Sequence, residues 1–300
     1  MAFRSYLAEE VALDFADARL TRREALKRLA LLGLSTTAAG ALLAACASDS
    51  DEGVKAQPER TTTTAAPTTT LAPAPAAATA ITFAGNNGQL KGAFAAAPKP
   101  KGAVLVIHEN RGLTDHIRTI PPRFAADGYS ALAVDLLSEE GGTETLGGDA
   151  PAIAALGAAP VERLVADMRS GIDELQRRVP NQKVGIIGFC FGGGMVWSLL
   201  AAGEPRVAAA APFYGPTPAN PDFSGSKAAV LAVYGALDAR VNGTRDAAVA
   251  ALQAAGLTFE VKEYADANHA FFNDTGPSYN ATAATQAYAA VLDWYGRYLA

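Results

Sequence analysis

From residue 81 onward the chain alternates two patterns of apolar and polar positions. Short runs rich in Val, Ile and Ala occupy residues 103–107, 131–136, 183–189, 207–214, 229–234 and 259–264. Most of them do not alternate apolar with polar residues. A strand with one wet face alternates, so these runs read as strands buried on both faces, as in a parallel sheet. Ahead of them, residues 81–84 and 90–95 flank Gly85-Asn86-Asn87-Gly88, a composition suited to a tight turn. An antiparallel hairpin is expected there.

Amphipathic segments separate the runs, at 116–127, 161–178, 192–202, 244–255 and 281–298. In 161–178, Leu164, Met168, Ile172 and Leu175 recur three and four residues apart, which places them on one helical face. Strand and helix taking turns through residues 81–300 predict a doubly wound, mostly parallel α/β sheet with helices on both faces. Ligands of such sheets sit beyond the carboxyl ends of the strands. The loops that follow the strands are therefore where chemistry is sought.

The first eighty residues have a different organisation. Arg22 and Arg23 precede Leu26 and Lys27, and residues 29–48 carry no charge. That stretch is diluted by Gly33, Ser35, Thr36, Thr37 and Gly40, whereas a membrane-spanning helix wants about 20 strongly apolar residues. The order resembles a twin-arginine export signal, and Leu43-Ala44-Ala45-Cys46 is similar to a bacterial lipobox, in which Cys46 would be lipidated. An uncleaved anchor helix is the alternative. Residues 47–80 are rich in Thr, Ala and Pro and lack aromatic residues, so they read as a disordered, extended tether. The expected organisation is a signal at 1–46, a tether at 47–80 and a globular domain at 81–300. It describes an exported bacterial protein of the cell envelope or periplasm, attached to a membrane through its lipidated N-terminus.

Composition narrows the chemistry. A net charge of −5 gives no basic face for nucleic acid. Two cysteines and three histidines are too few for a disulfide framework or a zinc cluster. Against that background, Gly188-Phe189-Cys190-Phe191-Gly192-Gly193 stands out, because it follows one predicted strand and opens one predicted helix. Gly-x-Cys-x-Gly at such a junction is the pattern of a nucleophile elbow with cysteine in place of serine. The turn lifts the sulfur clear of the sheet and sets it at a helix N-terminus, where backbone N–H groups favour negative charge. A buried, inert cysteine in a glycine-rich turn is the competing reading.

A nucleophile needs a base, and the base needs an orienting group. His269 is the one histidine after Cys190, in the loop that follows 259–264. Asp238 follows 229–234 and is the matching acid. Two backbone N–H groups should hold the oxyanion, those of Phe191 and of Asn110, the latter in the loop after 103–107.

These residues resemble the dienelactone hydrolase family of the α/β-hydrolase superfamily. The resemblance rests on residues 107–113, on Asp127-Gly128-Tyr129 before Val134-Asp135-Leu136, on the elbow, on Tyr234-Gly235-Ala236-Leu237-Asp238 and on Asn268-His269-Ala270-Phe271. It implies a Cys190–Asp238–His269 triad. It also implies that Glu109 contacts the resting thiol and takes its proton when substrate binds, with Arg111 able to hold the displaced carboxylate. The family grips its substrate's carboxylate with arginines, but neither the run after His269 nor residues 141–160 contain one. Trp197, Tyr214 and Phe271, with Arg111, are the expected substrate-binding side chains. The resulting expectation is a monomeric, exported hydrolase of small-molecule carboxylic esters or lactones, working through a thioester with no metal or organic cofactor. A thioesterase or small peptidase with the same triad is the alternative within enzymes. A non-catalytic, lipid-tethered binding protein is the alternative outside them.

Overall fold

In the computed structural model, which describes residues 3–16, 20–48 and 77–299, the strands are β1 (Thr79–Ala84), β2 (Gln89–Ala95), β3 (Ala103–Ile107), β4 (Ser130–Asp135), β5 (Val184–Phe189), β6 (Val207–Phe213), β7 (Ala229–Gly235) and β8 (Phe259–Tyr264). The helices are α1 (Phe3–Ala16), α2 (Arg22–Leu31), α3 (Thr36–Ser48), α4 (Asp115–Arg118), α5 (Ile120–Ala126), α6 (Asp149–Ala158), α7 (Val161–Arg178), α8 (Phe191–Ala201), α9 (Ala239–Asn242), α10 (Arg245–Ala254) and α11 (Ala281–Tyr298). The strands form one sheet in the order β1-β2-β4-β3-β5-β6-β7-β8. The β1–β2 hairpin is antiparallel and joins the sheet antiparallel to β4, while every later pairing is parallel. This is the α/β-hydrolase fold.

Sequence pattern and burial agree in the centre of the sheet. Every residue of β3, β4, β5 and β7 is buried, as unbroken apolar runs require. The β8 strand sits at the edge, where Lys262 and Glu263 face water and Glu260 is half-buried. Helix α7 buries Leu164, Met168, Ile172 and Leu175, the stripe that its spacing predicts. Because β3, β5, β7 and β8 run parallel, their carboxyl ends open on one edge of the sheet. The loops at 108–112, 190, 236–238 and 265–269 therefore meet there.

The expected helix at 116–127 is two helices, α4 and α5. Pro121 and Pro122 lack the N–H groups that a continuous helix would need, so the chain restarts at Ile120. Residues 141–160 hold α6, whose Ala- and Gly-rich sequence has no helical periodicity to reveal it.

The range 1–46 is not separate from the folded body. Tyr6, Leu7, Val11 and Ala12 of α1, Ala25 and Leu29 of α2, and Ala39 and Leu43 of α3 are all buried. Helix α1 packs against α2, α3 and α6. Gly157 of α6 makes room, since a methyl there would stand 2.7 Å from Leu32 and 3.3 Å from Leu7. Thr21 and Glu24 form a capping box at the start of α2, and Arg22 and Arg23 are exposed on its first turn. Cys46 falls within α3, and its side chain lies outside the described residues. Among the described residues no helix is long and apolar enough to cross a membrane. Of the range assigned to the tether, 49–76 lie outside the described residues, while Thr79 and Ala80 belong to β1 because its register with β2 runs on to Thr79 opposite Phe94.

Candidate active site

Cys190 forms the corner between β5 and α8, with φ 57° and ψ −118°. A non-glycine residue held there stores on the order of 1–3 kcal/mol of strain. The corner is fixed by the Cys190 N–H, which donates to the Phe213 carbonyl at 3.1 Å, and by the Gly194 N–H, which donates to the Cys190 carbonyl at 3.1 Å. Glycine is required on both arms for steric reasons. A methyl on Gly188 would strike the Gly192 carbonyl, and one on Gly192 would strike the carbonyls of Ile107 and His108. Phe191 is the first residue of α8, so its N–H belongs to the helix start beside the sulfur.

The other two residues of the expected triad arrive from the ends of β7 and β8. His269 Nδ1 lies 2.6 Å from Asp238 Oδ2, and Asp238 Oδ1 accepts from the Val241 N–H at 3.2 Å, capping α9. The Tyr214 ring meets the imidazole edge-on at 5.2 Å and supports it from behind. The Cys190 sulfur, a ring nitrogen of His269 and a carboxylate oxygen of Glu10 lie within 4.8 Å of one another. Those three atoms are close enough to share a metal ion, and a ring nitrogen so placed is also of the kind that can accept a proton from a thiol. Sequence and structure thus bring Cys190, Asp238 and His269 together.

The electrostatics follow from burial and charge. Burial alone would lift the Asp238 carboxyl, but the adjoining His269 charge and hydrogen bond hold it below the usual carboxylate range. Burial alone would depress His269, but Glu10, Asp238 and Cys190 hold its imidazole well above the ordinary value. Burial raises the Cys190 thiol, Glu10 adds to that, and His269 opposes it.

Glu109 is buried at the end of β3, and its carboxyl is raised chiefly by that burial. Its Oε2 accepts from the Asn273 amide at 2.7 Å, and its Oε1 is buried without a hydrogen-bond partner among the described residues. Arg111 does not hold it in this state. The guanidinium is half-exposed and sits 3.4 Å from Asp149 of α6. The neighbouring His108 is structural: its Nε2 accepts from the Leu136 N–H at 3.1 Å and its Nδ1–H donates to the Glu109 carbonyl at 2.7 Å, tying the β3 and β4 ends together.

A cleft of about 120 Å³ runs over the sulfur, lined by Glu109, Asn110, Arg111 and His269, by the 270–278 loop and by Glu10 and Asp14 of α1. Trp197, Tyr214 and Phe271, the expected substrate-binding aromatic residues, are not among the residues that line it. Helix α8 is buried along nearly its whole length, so Trp197 points into the core and stacks on Phe223 at 5.4 Å. Phe271 packs behind the triad against Tyr214 and Tyr264. Apolar composition marks these residues as buried, but not which side of the loop they fill.

Several neighbours of the site have no local signal in the sequence. The Tyr6 hydroxyl lies 3.4 Å from the Cys190 sulfur across 184 positions. Glu10 Oε1 lies 3.3 Å from His269 Nε2, and Glu10 Oε2 pairs with Arg240. Asp274 receives Arg123 at 2.7 Å and contacts His116 Nδ1 at 2.8 Å, which anchors the loop carrying Asn273.

Known proteins share this architecture. The profile of the dienelactone hydrolase family matches residues 90–299. A carboxymethylenebutenolidase-type protein of Escherichia coli O157:H7 is 32% identical over 224 residues, which cover 69% of this chain and 82% of the relative. The crystal structure of a dienelactone hydrolase-type protein of Klebsiella pneumoniae superposes with a TM-score of 0.65 at 27% identity, covering 74% of this chain and 98% of its own. A dienelactone hydrolase-like promiscuous phosphotriesterase from metagenomic libraries superposes at 0.60 with 25% identity, over 75% of this chain and all of its own.

Proposed function

Because this chain belongs to the dienelactone hydrolase family and is a hydrolase of ester or lactone bonds, we propose that it works through Cys190, His269 and Asp238 by way of a thioester. The observation that carries this is the meeting of three strand ends, with the Cys190 sulfur and a His269 nitrogen within 4.8 Å and His269 Nδ1 bound to Asp238. With Nδ1 engaged by Asp238, Nε2 is the nitrogen that would exchange protons with the thiol and with substrate. His269 takes the thiol proton as sulfur attacks the carbonyl carbon. The resulting oxyanion is held by the N–H groups of Phe191 and Asn110. Collapse breaks the C–O bond, the leaving oxygen takes the proton from His269, and the acyl group remains on sulfur. Water then gives a proton to His269 and adds to the thioester. The departing thiolate regains that proton, and a carboxylic acid is released.

Glu109 fits the role of an additional proton acceptor. It is buried near the thiol, its carboxyl is raised by burial, and its Oε1 has no hydrogen bond among the described residues. The small cleft suits a small acyl group, and Arg111 places positive charge at its mouth. Export by a twin-arginine signal, with lipid attachment at Cys46 and the membrane as anchor, is supported by the residue order and by the exposure of Arg22 and Arg23 on an otherwise folded body.

Replacing Cys190 or His269 by Ala tests the reading. Each variant should lower kcat/KM for an activated aryl ester by roughly 10³-fold or more with the far-UV spectrum unchanged. Full activity in either variant contradicts it.

A further inference from the structure

The catalytic cleft is already occupied, and its occupant is part of the same chain. Tyr6, Glu10 and Asp14 recur every fourth residue on α1, so they form one stripe. Glu10 and Asp14 line the cleft, and the Tyr6 hydroxyl stands 3.4 Å from the Cys190 sulfur. A carbonyl carbon must approach a nucleophile to about 3–3.5 Å before it reacts. The phenol already fills that shell. Glu10 takes the other half of the machinery, because its carboxylate lies 3.3 Å from His269 Nε2.

From this arrangement we infer that α1 is an intramolecular plug, a segment of the chain's own leader that covers the nucleophile and engages the base until it is displaced. The inference rests on the reading of Cys190 and His269 as nucleophile and base. The groups facing His269 are Glu10 from α1, Asp238 at the start of α9, Cys190 at the elbow, Glu109 beyond β3 and the Tyr214 ring. Two carboxylates thus flank one imidazole, and an imidazolium held between them has no lone pair with which to accept the thiol proton.

The domain also carries a clamp for this stripe. Arg240 pairs with Glu10 and lays its guanidinium 4.3 Å over the Tyr6 ring, gripping two residues one helical turn apart. On an adjacent stripe of α1, Leu7 and Val11 are buried, with Leu7 against Gly157 of α6. The family profile matches residues 90–299, so the helix in the cleft lies outside the matched residues. Arg22 and Arg23 stay exposed while the plug is seated. An export apparatus could therefore read the leader on a folded enzyme whose cleft is covered, and loss of the leader would open the cleft.

The test compares full-length chains in two assays. Iodoacetamide labelling at Cys190 is followed by peptide mass spectrometry, which separates it from Cys46, and hydrolysis of an activated aryl ester is followed alongside. Leu7→Asp unseats the helix without touching its polar contacts, Glu10→Gln releases the imidazole, and Lys27→Ala, at an exposed position of α2, is the control. Leu7→Asp should label at least about tenfold faster than the parent, Glu10→Gln should also gain, and Lys27→Ala should stay within about twofold. If Leu7→Asp loses its far-UV signal, Glu10→Gln decides. Labelling in the parent as fast as in Glu10→Gln overturns the plug. Faster labelling with no ester hydrolysis in any chain upholds the plug and rejects the hydrolytic role proposed for Cys190 and His269. Equal ester hydrolysis and equal labelling in all chains uphold the esterase reading and reject the plug.

Discussion

His269 Nδ1 lies 2.6 Å from Asp238 Oδ2, 31 positions away in the chain, and this contact determines which ring nitrogen turns toward the sulfur. Asp238 is itself fixed, because its second oxygen caps α9 through the Val241 N–H. Position and charge of the imidazole are therefore both set from behind. Asp238→Asn keeps the side-chain shape but removes the charge and offers a donor to Nδ1, so it favours the wrong tautomer. The expected loss in kcat/KM is about 10²–10⁴-fold, with KM changing little. Steady-state kinetics on an aryl ester check it, and a loss carried mainly by KM would argue against an orienting role.

Glu109 is placed by Asn273, whose amide donates to its Oε2 at 2.7 Å. Burial raises its carboxyl, so the residue ionises at a higher pH than an exposed glutamate. A step that needs the ionised form must gain rate as pH rises through that raised value. Glu109→Gln should lower kcat/KM by about 10–10³-fold and remove that acid limb of the pH–rate profile. Asn273→Ala should move the limb while retaining most activity at its plateau. Profiles of the parent and both variants decide the matter: an acid limb unchanged in Glu109→Gln would assign the ionisation to another group.

Asp167 on α7 shows burial acting on stability instead of catalysis. Both of its carboxyl oxygens are buried without a hydrogen bond among the described residues, and Arg163 stands 3.6 Å away. Burial, with Glu139 and Glu140 adding to it and Arg163 opposing, pushes its pKa up to about 6 from the ordinary 3.8. Between those values the folded chain binds a proton more tightly than the unfolded chain. Stability therefore falls as pH rises through that window and stays lower above it. Asp167→Asn removes the ionisation and should raise Tm by about 2 °C at pH 8, with no gain near pH 4. Thermal melts at the two pH values test the sign.

Much of this molecule is legible from sequence, for reasons that differ by element. The central strands are found because β3, β5 and β7 have no polar face to obscure their limits. The elbow is legible because steric conflict at Gly188 and Gly192 leaves one residue type able to fill both positions. Asp238 and His269 follow from chain order once the elbow is placed. Helix α6 stays hidden because Ala and Gly give it no periodicity, and the α4–α5 break depends on two prolines inside an otherwise helical pattern. Trp197 and Phe271 show a further limit, since hydrophobicity predicts burial but not the cavity a ring will face. The contacts of Tyr6 and Glu10 lie furthest from reach. A leader reads as an address, and no local pattern joins it to residues 190 and 269.

The nucleophilic role of Cys190 is tested most directly by mass spectrometry of the acyl-enzyme. The full-length chain and its Glu10→Gln variant are mixed with p-nitrophenyl acetate, quenched in acid during turnover and digested. The expected result is one acetyl group on the peptide carrying Cys190, labile to hydroxylamine and lost when Cys190 is replaced by Ala. Sustained ester hydrolysis with no acetyl group on that peptide in either chain would contradict it.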